Sequence, residues 1–132
     1  MIYLDSSALV KLVREEAESA ALGTWLSARA PTSLLSSELA AVEVVRMCRR
    51  WDDRALPAAR GLLTGLDLIR LSRDVVTAAA ELADPLLRTL DALHLASALT
   101  IGPALVAFVA YDERLRRAAD TAGLTCVTPG RS

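Results

Sequence analysis

The chain has 132 residues, a length that corresponds to one domain able to bury a hydrophobic core without disulfide bonds. Hydrophobic residues make up 53% of the sequence and charged residues 23%, which excludes disorder for the bulk of the chain. The 15 basic and 16 acidic residues leave a formal net charge of −1, so the totals do not indicate a strongly basic, non-specific nucleic-acid binder.

Apolar runs and cap residues divide the chain into alternating strands and helices. The continuous apolar run of residues 104–110 predicts a central parallel strand, whereas the apolar–polar alternation of residues 66–71 predicts a half-exposed one. Ser36 or Ser37 is expected to cap the longest helix, and Ser72 a later one. In chain order, we predict strand 1–4, helix 8–13 capped by Ser6 or Ser7, helix 16–29, strand 32–35, helix 38–51, helix 53–64, strand 66–71, helix 75–82, helix 89–100, strand 104–110, helix 112–122 and strand 124–127. The alternation predicts an α/β fold, a single domain over residues 1–132 with a mainly parallel central sheet flanked by helices.

Cysteine usage and the chain start indicate a cytoplasmic protein. Cys48 and Cys126 lie far apart in no metal-binding spacing, so both are expected to be reduced. The first ten residues lack a basic start and already carry Asp5, so no secretory signal is expected. Residues 92–111 form the one stretch apolar enough to suggest a membrane span, but Gly102 and its neighbouring proline interrupt it, and no membrane association is expected.

Two acidic residues directly follow predicted strands. Asp5 ends the first strand, and Asp112 follows the apolar run that ends near Tyr111. The carboxyl ends of parallel strands form the edge at which open α/β sheets bind ligands. Each residue could equally be the N-cap of the helix that follows it, because Asp is a preferred capping residue.

Glu43 lies in the middle of a predicted helix, on an apolar face. Leu39 and Met47 are one turn away on either side, so the carboxylate shares its face with apolar side chains. A buried unpaired carboxylate costs several kcal/mol or more, so Glu43 needs a partner. Arg46, three residues later, could supply an ordinary helical salt bridge.

Asp91 opens a predicted helix, a position that the helix dipole favours for any acid. His94, one turn later, is expected to be a hydrogen-bonded helix residue rather than a metal ligand. If Asp91 converges with the other acids at one edge of the sheet, the carboxylates raise one another's pKa unless a cation neutralises them. Mg²⁺ or Mn²⁺, which favour carboxylate and water ligands, are the cations that suit such a site.

Four segments resemble, in this order, the four motifs of PIN-domain nucleases. They are residues 2–8 (IYLDSSA), 37–44 (SELAAVEV), 90–96 (LDALHLA) and 110–115 (AYDERL). The overall pattern is similar to VapC-type toxins of bacterial VapBC toxin–antitoxin modules, and the resemblance covers nearly the whole chain.

The resemblance implies an endoribonuclease that depends on Mg²⁺, for which Mn²⁺ can substitute. The catalytic, metal-binding acids that it carries over are Asp5, Glu43, Asp91 and Asp112. Ser6 or Ser7 matches the small hydroxyl residue that helps to hold the first motif. The family often has Thr or Ser where this chain has Ala110, and Glu38 lies close to Glu43 but in a spacing that fits the motif less well.

The resemblance also implies partners: an RNA substrate that is either transfer RNA or a ribosomal RNA loop, a cognate VapB-like antitoxin, and a second copy of the chain in a homodimer. The predicted helix 75–82 offers an apolar surface for association. Bases near the acids would offset their charge toward RNA, although each could instead belong to an ordinary solvated face. These bases are Lys11, Arg14, Arg46, Arg49 and Arg50.

Two other functions remain open at the level of sequence. The first is an inactive PIN-like domain that only binds a partner protein. The second is a phosphatase of the haloacid-dehalogenase type with Asp5 as its nucleophile, a chemistry that typically needs a second acid two residues later, where this chain has Ser7.

Overall fold

The computed structural model describes residues 1–131, in which strands and helices alternate as predicted. The strands are β1 (Ile2–Leu4), β2 (Leu34–Ser37), β3 (Asp67–Ile69), β4 (Ala107–Val109) and β5 (Cys126–Val127). The helices are α1 (Ser6–Val13), α2 (Ser19–Ser27), α3 (Glu38–Trp51), α4 (Leu56–Thr64), α5 (Arg73–Ala80), α6 (Thr89–Leu99) and α7 (Glu113–Thr121), with 3-10 turns at Asp53–Ala55 and Gly102–Ala104.

The five strands form one parallel sheet in the order β3-β2-β1-β4-β5. β1 is the central strand, and its last residue, Leu4, pairs with Val109 of β4. The chain builds β2 and β3 on one side of β1, then returns to the other side for β4 and β5. The topology therefore reverses between β1 and β4, and the carboxyl ends of these two strands are where a parallel sheet offers a binding crevice.

Helices cover both faces of the sheet because the strands alternate their side chains between them. Ile2 and Leu4 pack into a core with α1 to α4, and Tyr3 points to the opposite core, formed with α5 to α7. All three residues are fully buried, and Tyr3 stacks on Phe108 with ring centroids 5.3 Å apart. Burial of each such side chain contributes about 1.5–3 kcal/mol, so β1 is held from both faces.

Several element boundaries differ from those predicted. α2 begins at Ser19 rather than at residue 16 because Glu16 and Glu18 form ion pairs with Lys11 in the loop before it. β2 extends to Ser37 because its last residues pair with β3. β4 has three residues rather than seven, because its partner β1 is three residues long and pairs with Ala107–Val109.

The end of the described chain folds back onto the start of α2. Gly130 has a φ of +88°, and a Cβ added there would lie 2.9 Å from the Cβ of Ala21. Arg131 donates hydrogen bonds to the Tyr111 carbonyl at 2.7 Å and to Glu18 at 3.0 Å. Gly130 therefore allows a close approach that Arg131 fastens, and we call residues 129–131 the C-terminal clasp.

Cys48 and Cys126 are both free, as predicted, and Cys48 is buried in the core. Within residues 1–131, no helix combines the length and the apolar character that crossing a membrane requires.

Candidate active site

Asp5 caps α1 with one of its carboxylate oxygens. Oδ1 accepts hydrogen bonds from the Ala8 N–H at 3.0 Å and from the Ser7 hydroxyl at 2.6 Å. No donor within residues 1–131 bonds to Oδ2, although the side chain is only 3% exposed. Of the caps that the sequence offered, the structure uses Asp5 and not Ser6 or Ser7, and capping leaves the second oxygen for another ligand.

The ionised form of Asp5 is held in an environment that disfavours it. Burial raises the pKa of Asp5 to about 6, even though the Ser7 hydrogen bond and His94 favour its charge, and the Asp91 carboxylate raises the pKa further. A cation beside Oδ2 would relieve this cost. Asp5, directly after β1, and Asp91 of α6 thus disfavour each other's charge.

Asp112, after the neighbouring strand β4, also uses one carboxylate oxygen to cap a helix. Its Oδ1 accepts the Leu115 N–H at 3.0 Å and so caps α7, while its Oδ2 faces Arg88 at 3.0 Å. The Tyr111 N–H donates to the Ser7 hydroxyl at 3.0 Å, which ties this loop to the first motif. The two roles that the sequence left open for Asp5 and Asp112, cap and ligand, are thus compatible because each role uses a different oxygen.

Glu43 is paired across the fold rather than along its helix. His94 Nε2 donates to Glu43 Oε1 at 2.7 Å, and the Ser6 hydroxyl donates to the same oxygen. The alternative of a helical salt bridge with Arg46 is therefore wrong, because His94 and Ser6 meet the carboxylate from α6 and α1. Burial raises the pKa of Glu43, but these two hydrogen bonds hold it below its ordinary value.

His94 is buried and hydrogen-bonded, as predicted, and connects Glu43 to the core. The Glu43 carboxylate can only accept, so Nε2 carries a proton, and in the neutral ring Nδ1 accepts the Tyr3 hydroxyl at 2.7 Å. Burial raises the pKa of Tyr3 well above its ordinary value, which keeps that hydroxyl protonated as the donor. The chain from Tyr3 through His94 therefore fixes the orientation of Glu43.

Arg88, which the sequence analysis did not single out, bridges two of the predicted acids. Its Nη2 lies 2.9 Å from Asp91 Oδ2 and 3.0 Å from Asp112 Oδ2. Arg88 stands three residues before Asp91, a spacing that predicts a helical ion pair, but its contact with Asp112 depends on how α7 packs against α6. The guanidinium therefore bridges the two carboxylates and offsets part of their charge.

The structure brings the predicted acids to one edge of the sheet in two groups. One group joins Glu43 with His94, and the other joins Asp91 with Asp112 through Arg88. Within residues 1–131, no three Asp, Glu, His or Cys side chains are clustered tightly enough to enclose a metal ion.

The donor set nevertheless suits Mg²⁺ or Mn²⁺. Mg²⁺ keeps several waters and binds proteins through one or two carboxylates rather than through a closed cage. The uncommitted Oδ2 of the buried Asp5 and the carboxylate of Asp91 are oxygen donors of this kind. The residues present therefore fit a hydrated divalent ion.

Glu38, the neighbouring acid, has a structural role. Its Oε2 accepts the Leu71 N–H at 3.0 Å and so ties α3 to the loop after β3. Glu43, not Glu38, is the α3 acid that meets His94.

Two of the five bases predicted to face RNA flank the site. Arg46 and Arg50 are exposed and line a groove of about 390 Å³ beside Glu43. Arg49 is exposed but does not line this groove, since it projects from another side of α3. Arg14 is exposed and stacks on the ring of Trp51, 4.5 Å from its centroid.

Lys11 is not available to RNA, which corrects its prediction as a surface base. Its side chain is 9% exposed, and its ammonium lies 2.8 Å from Glu18 and 3.1 Å from Glu16. The ammonium also sits over the Tyr111 ring, 4.6 Å from its centroid. The two glutamates therefore neutralise the Lys11 ammonium within the fold.

Known proteins resemble the chain over its whole length. A sequence model of the PIN domain matches residues 2–121. Ribonuclease VapC35 of Mycobacterium tuberculosis is 43% identical over 134 residues, which cover 100% of this chain and 99% of that protein. Ribonuclease VapC46 of the same organism is 44% identical over 97% of each chain.

A solved structure shares the fold. The crystal structure of Mycobacterium tuberculosis VapC20, described as a Sarcin-Ricin loop cleaving toxin, matches with a TM-score of 0.75 at 21% identity. The match covers 98% of this chain and 100% of that one. It confirms the predicted α/β class and the parallel sheet flanked by helices.

Proposed function

Since this chain belongs to the PIN-domain family and its full-length relatives are named VapC ribonucleases, we propose that it is the endoribonuclease toxin of a type II toxin–antitoxin module and depends on Mg²⁺ or Mn²⁺. The observation that carries the proposal is the pair of neighbouring strand ends at which Asp5 and Asp112 each cap a helix with one oxygen and keep the other for the site. Asp91 joins them from α6.

The four acids divide the work of holding the ion. Asp5 and Asp91 would bind it directly, and Glu43 and Asp112 would complete the site or orient its waters. When bound, the ion supplies an activated water and offsets the negative charge that develops on the phosphodiester. No histidine or lysine base is needed, which suits a chain whose only histidine is buried.

The residues behind the acids keep them in place. The Ser7 hydroxyl holds Asp5 Oδ1, so Oδ2 keeps a fixed direction. His94 and Ser6 hold Glu43 Oε1 in the same way. These contacts restrain the carboxylates before any ion arrives, which lowers the entropic cost of binding it.

RNA cleavage with and without metal tests the proposal. We expect labelled RNA to be cut with Mg²⁺ or Mn²⁺ and to stay intact in EDTA, and Asp91→Asn to lose this cleavage by orders of magnitude. Asp74→Asn is the matched control, because Asp74 lies in the first turn of α5, exposed and outside the site. Full activity in Asp91→Asn would contradict the assignment.

The same assay separates the other two functions. An inactive binding module would leave RNA intact in both metals, and a phosphatase would release phosphate from p-nitrophenyl phosphate while RNA chains stayed whole. Two observations argue against the phosphatase. The chain belongs to another family, and the residue two positions after Asp5 is Ser7, whose hydroxyl donates a hydrogen bond to Asp5. Transfer RNA and a ribosomal RNA loop are the two substrates to compare.

The proposal includes two protein partners, a second copy of the chain and a VapB-like antitoxin. Two apolar side chains support a surface for association: Val76 of α5 is 50% exposed, and Leu86 of the loop that follows is 81% exposed. Light scattering of the purified protein, alone and with the product of an adjacent small reading frame, would test both partners. A monomer that binds no such product would contradict this part of the proposal.

A further inference from the structure

Arg88 covers the opening between Asp91 and Asp112. Its Nε and Nη2 both lie within 3.0 Å of Asp91 Oδ2, and Nη2 also donates to Asp112 Oδ2 at 3.0 Å. Its side chain is 62% exposed, whereas those of Asp91 and Asp112 are 14% and 34% exposed. The guanidinium therefore lies on the solvent side of both carboxylates.

Arg88 holds one oxygen each of two carboxylates that a divalent ion at the proposed site would use. An ion bound by Asp91, with Asp112 completing its site, would meet the guanidinium at close range, where like charges repel. Binding of the ion must therefore displace Arg88, and Arg88 must weaken the apparent affinity of the empty site for the ion. Because the side chain is mostly exposed and makes no N-terminal cap bond to α6, it can leave without disturbing the fold.

The displaced guanidinium stays at the mouth of the site. It carries two parallel N–H donors that match phosphate as well as carboxylate oxygens. Arg46 and Arg50 line a groove on the Glu43 side, and Arg88 is a base held directly on Asp112. An RNA strand that crosses the acids would meet a base on each side.

We propose that Arg88 binds an RNA phosphate next to the cleavage site and is held on Asp91 and Asp112 until a divalent ion takes those carboxylates. This inference rests on the proposed nuclease function. It adds an order of events, in which the ion enters first and thereby releases a positively charged group toward the substrate.

Mn²⁺ titration of the metal-free protein tests the first half. We expect Arg88→Ala and Arg88→Gln to bind Mn²⁺ at least severalfold more tightly than the wild type by calorimetry. Arg54→Ala is the matched control, because Arg54 forms an exposed ion pair with Asp52 outside the site. It should keep the wild-type affinity. Equal or weaker Mn²⁺ binding by both Arg88 variants would overturn the inference.

RNA binding tests the second half. The probe is a short fluorescein-labelled single-stranded RNA, titrated at several salt concentrations in Ca²⁺ and in EDTA. Loss of one phosphate contact lowers the slope of log K against log salt by about 0.7 for a single strand. We expect this loss for Arg88→Ala in Ca²⁺ and no loss in EDTA. Equal slopes for wild type and variant in Ca²⁺, or the same loss in EDTA, would overturn the inference.

The two levels of failure are distinguishable. A wild-type protein that binds no Mn²⁺ and cuts no RNA overturns the proposed function, and this inference with it. A wild-type protein that does both, with Arg88→Ala unchanged in Mn²⁺ affinity and salt slope, overturns the inference alone.

Discussion

At Asp5, a single carboxylate serves both the fold and the site. Oδ1 holds the N-terminus of α1, and Oδ2 is left for a ligand. Asp112 divides its oxygens in the same way between α7 and Arg88. Substitutions at these residues therefore have two separable effects, one on helix capping and one on charge.

Asp5→Asn and Asp5→Ala should differ in stability but not in activity. Both remove the charge, so we expect both to reduce metal-dependent cleavage by orders of magnitude. Asn retains a capping oxygen, whereas Ala loses it and should cost about 1 kcal/mol more in EDTA. Thermal unfolding of the two variants in EDTA measures this difference. Equal stability would mean that the cap contributes nothing here.

The raised pKa of Asp5 should make the stability of the protein depend on pH. Its pKa is raised from 3.8 to about 6 in the folded protein, mainly by burial, so the folded state binds its proton more tightly than the unfolded chain does. The resulting stabilisation is complete below about pH 4 and is lost as the pH rises through 6. Between pH 4 and 7 it amounts to at most about 3 kcal/mol.

Denaturant unfolding in EDTA at about pH 5 and pH 7.5 measures this effect. The wild type should lose more stability than Asp5→Asn between the two values, because Asn cannot titrate. Glu43, whose pKa is lowered, acts in the opposite direction and is common to both proteins. The same pH dependence in both proteins would contradict the origin assigned to it.

The elements position the site through packing that no single segment encodes. α1 and α7 bring their caps to adjacent strand ends because β1 and β4 pair in parallel, with Leu4 opposite Val109. α6 inserts His94 toward Glu43 of α3, 51 residues away in sequence. The clasp at residues 129–131 holds the far end of the chain against α2.

Gly130→Ala should open this clasp. A Cβ there would lie 2.9 Å from Ala21 Cβ and 3.2 Å from Glu18 Cα, at a φ of +88° that side chains rarely adopt. We expect a loss of about 1–3 kcal/mol in the free energy of unfolding. Gly61→Ala is the control: Gly61 lies within α4 with open space around it, so Ala should stabilise by up to about 1 kcal/mol. A neutral Gly130→Ala would show that the clasp does not contribute.

The sequence predicted that Asp5 and Asp112 lie at the ends of strands, because a few residues suffice to identify an apolar strand followed by a capping acid. The partner of Glu43 was not predictable, since His94 meets it only after α3 and α6 pack together. Arg88 was missed for the same reason, as its second carboxylate lies 24 residues away. The length of β4 was overestimated because the apolar run does not show that its partner β1 pairs over three residues.

At the scale of the whole molecule, the reversal of strand order creates the crevice between β1 and β4, and α3 and α6 place acidic side chains beside it. The acids of the site come from both halves of the chain: Asp5 and Glu43 from the first, Asp91 and Asp112 from the second. An ion bound among them would link the halves in the folded state only. Metal binding should therefore contribute to global stability.

Mn²⁺ should raise the melting temperature of the wild type but not of Asp91→Asn. Binding to the folded state alone stabilises by about 2.7 kcal/mol at a hundredfold excess over Kd. In EDTA, Asp91→Asn should cost a few tenths to about 1 kcal/mol, because it weakens an ion pair whose Arg88 side is mostly exposed. Asp74→Asn should keep the full metal response. An equal rise in Asp91→Asn would mean that Asp91 is not part of the metal site.

In Asp5 and Asp112, one carboxylate oxygen caps a helix and the other faces the site. This constrains which substitutions such a protein can accept if it loses its activity during evolution. A gene copy no longer selected for catalysis would still be selected for folding. At these two positions, the fold requires only a side-chain oxygen that accepts a helix N–H. Asn, Ser or Thr meet that demand. We therefore expect inactive descendants to carry Asn, Ser or Thr at positions 5 and 112 more often than Ala, whereas position 91, which caps no helix and whose replacement loses an ion pair, should show no such preference.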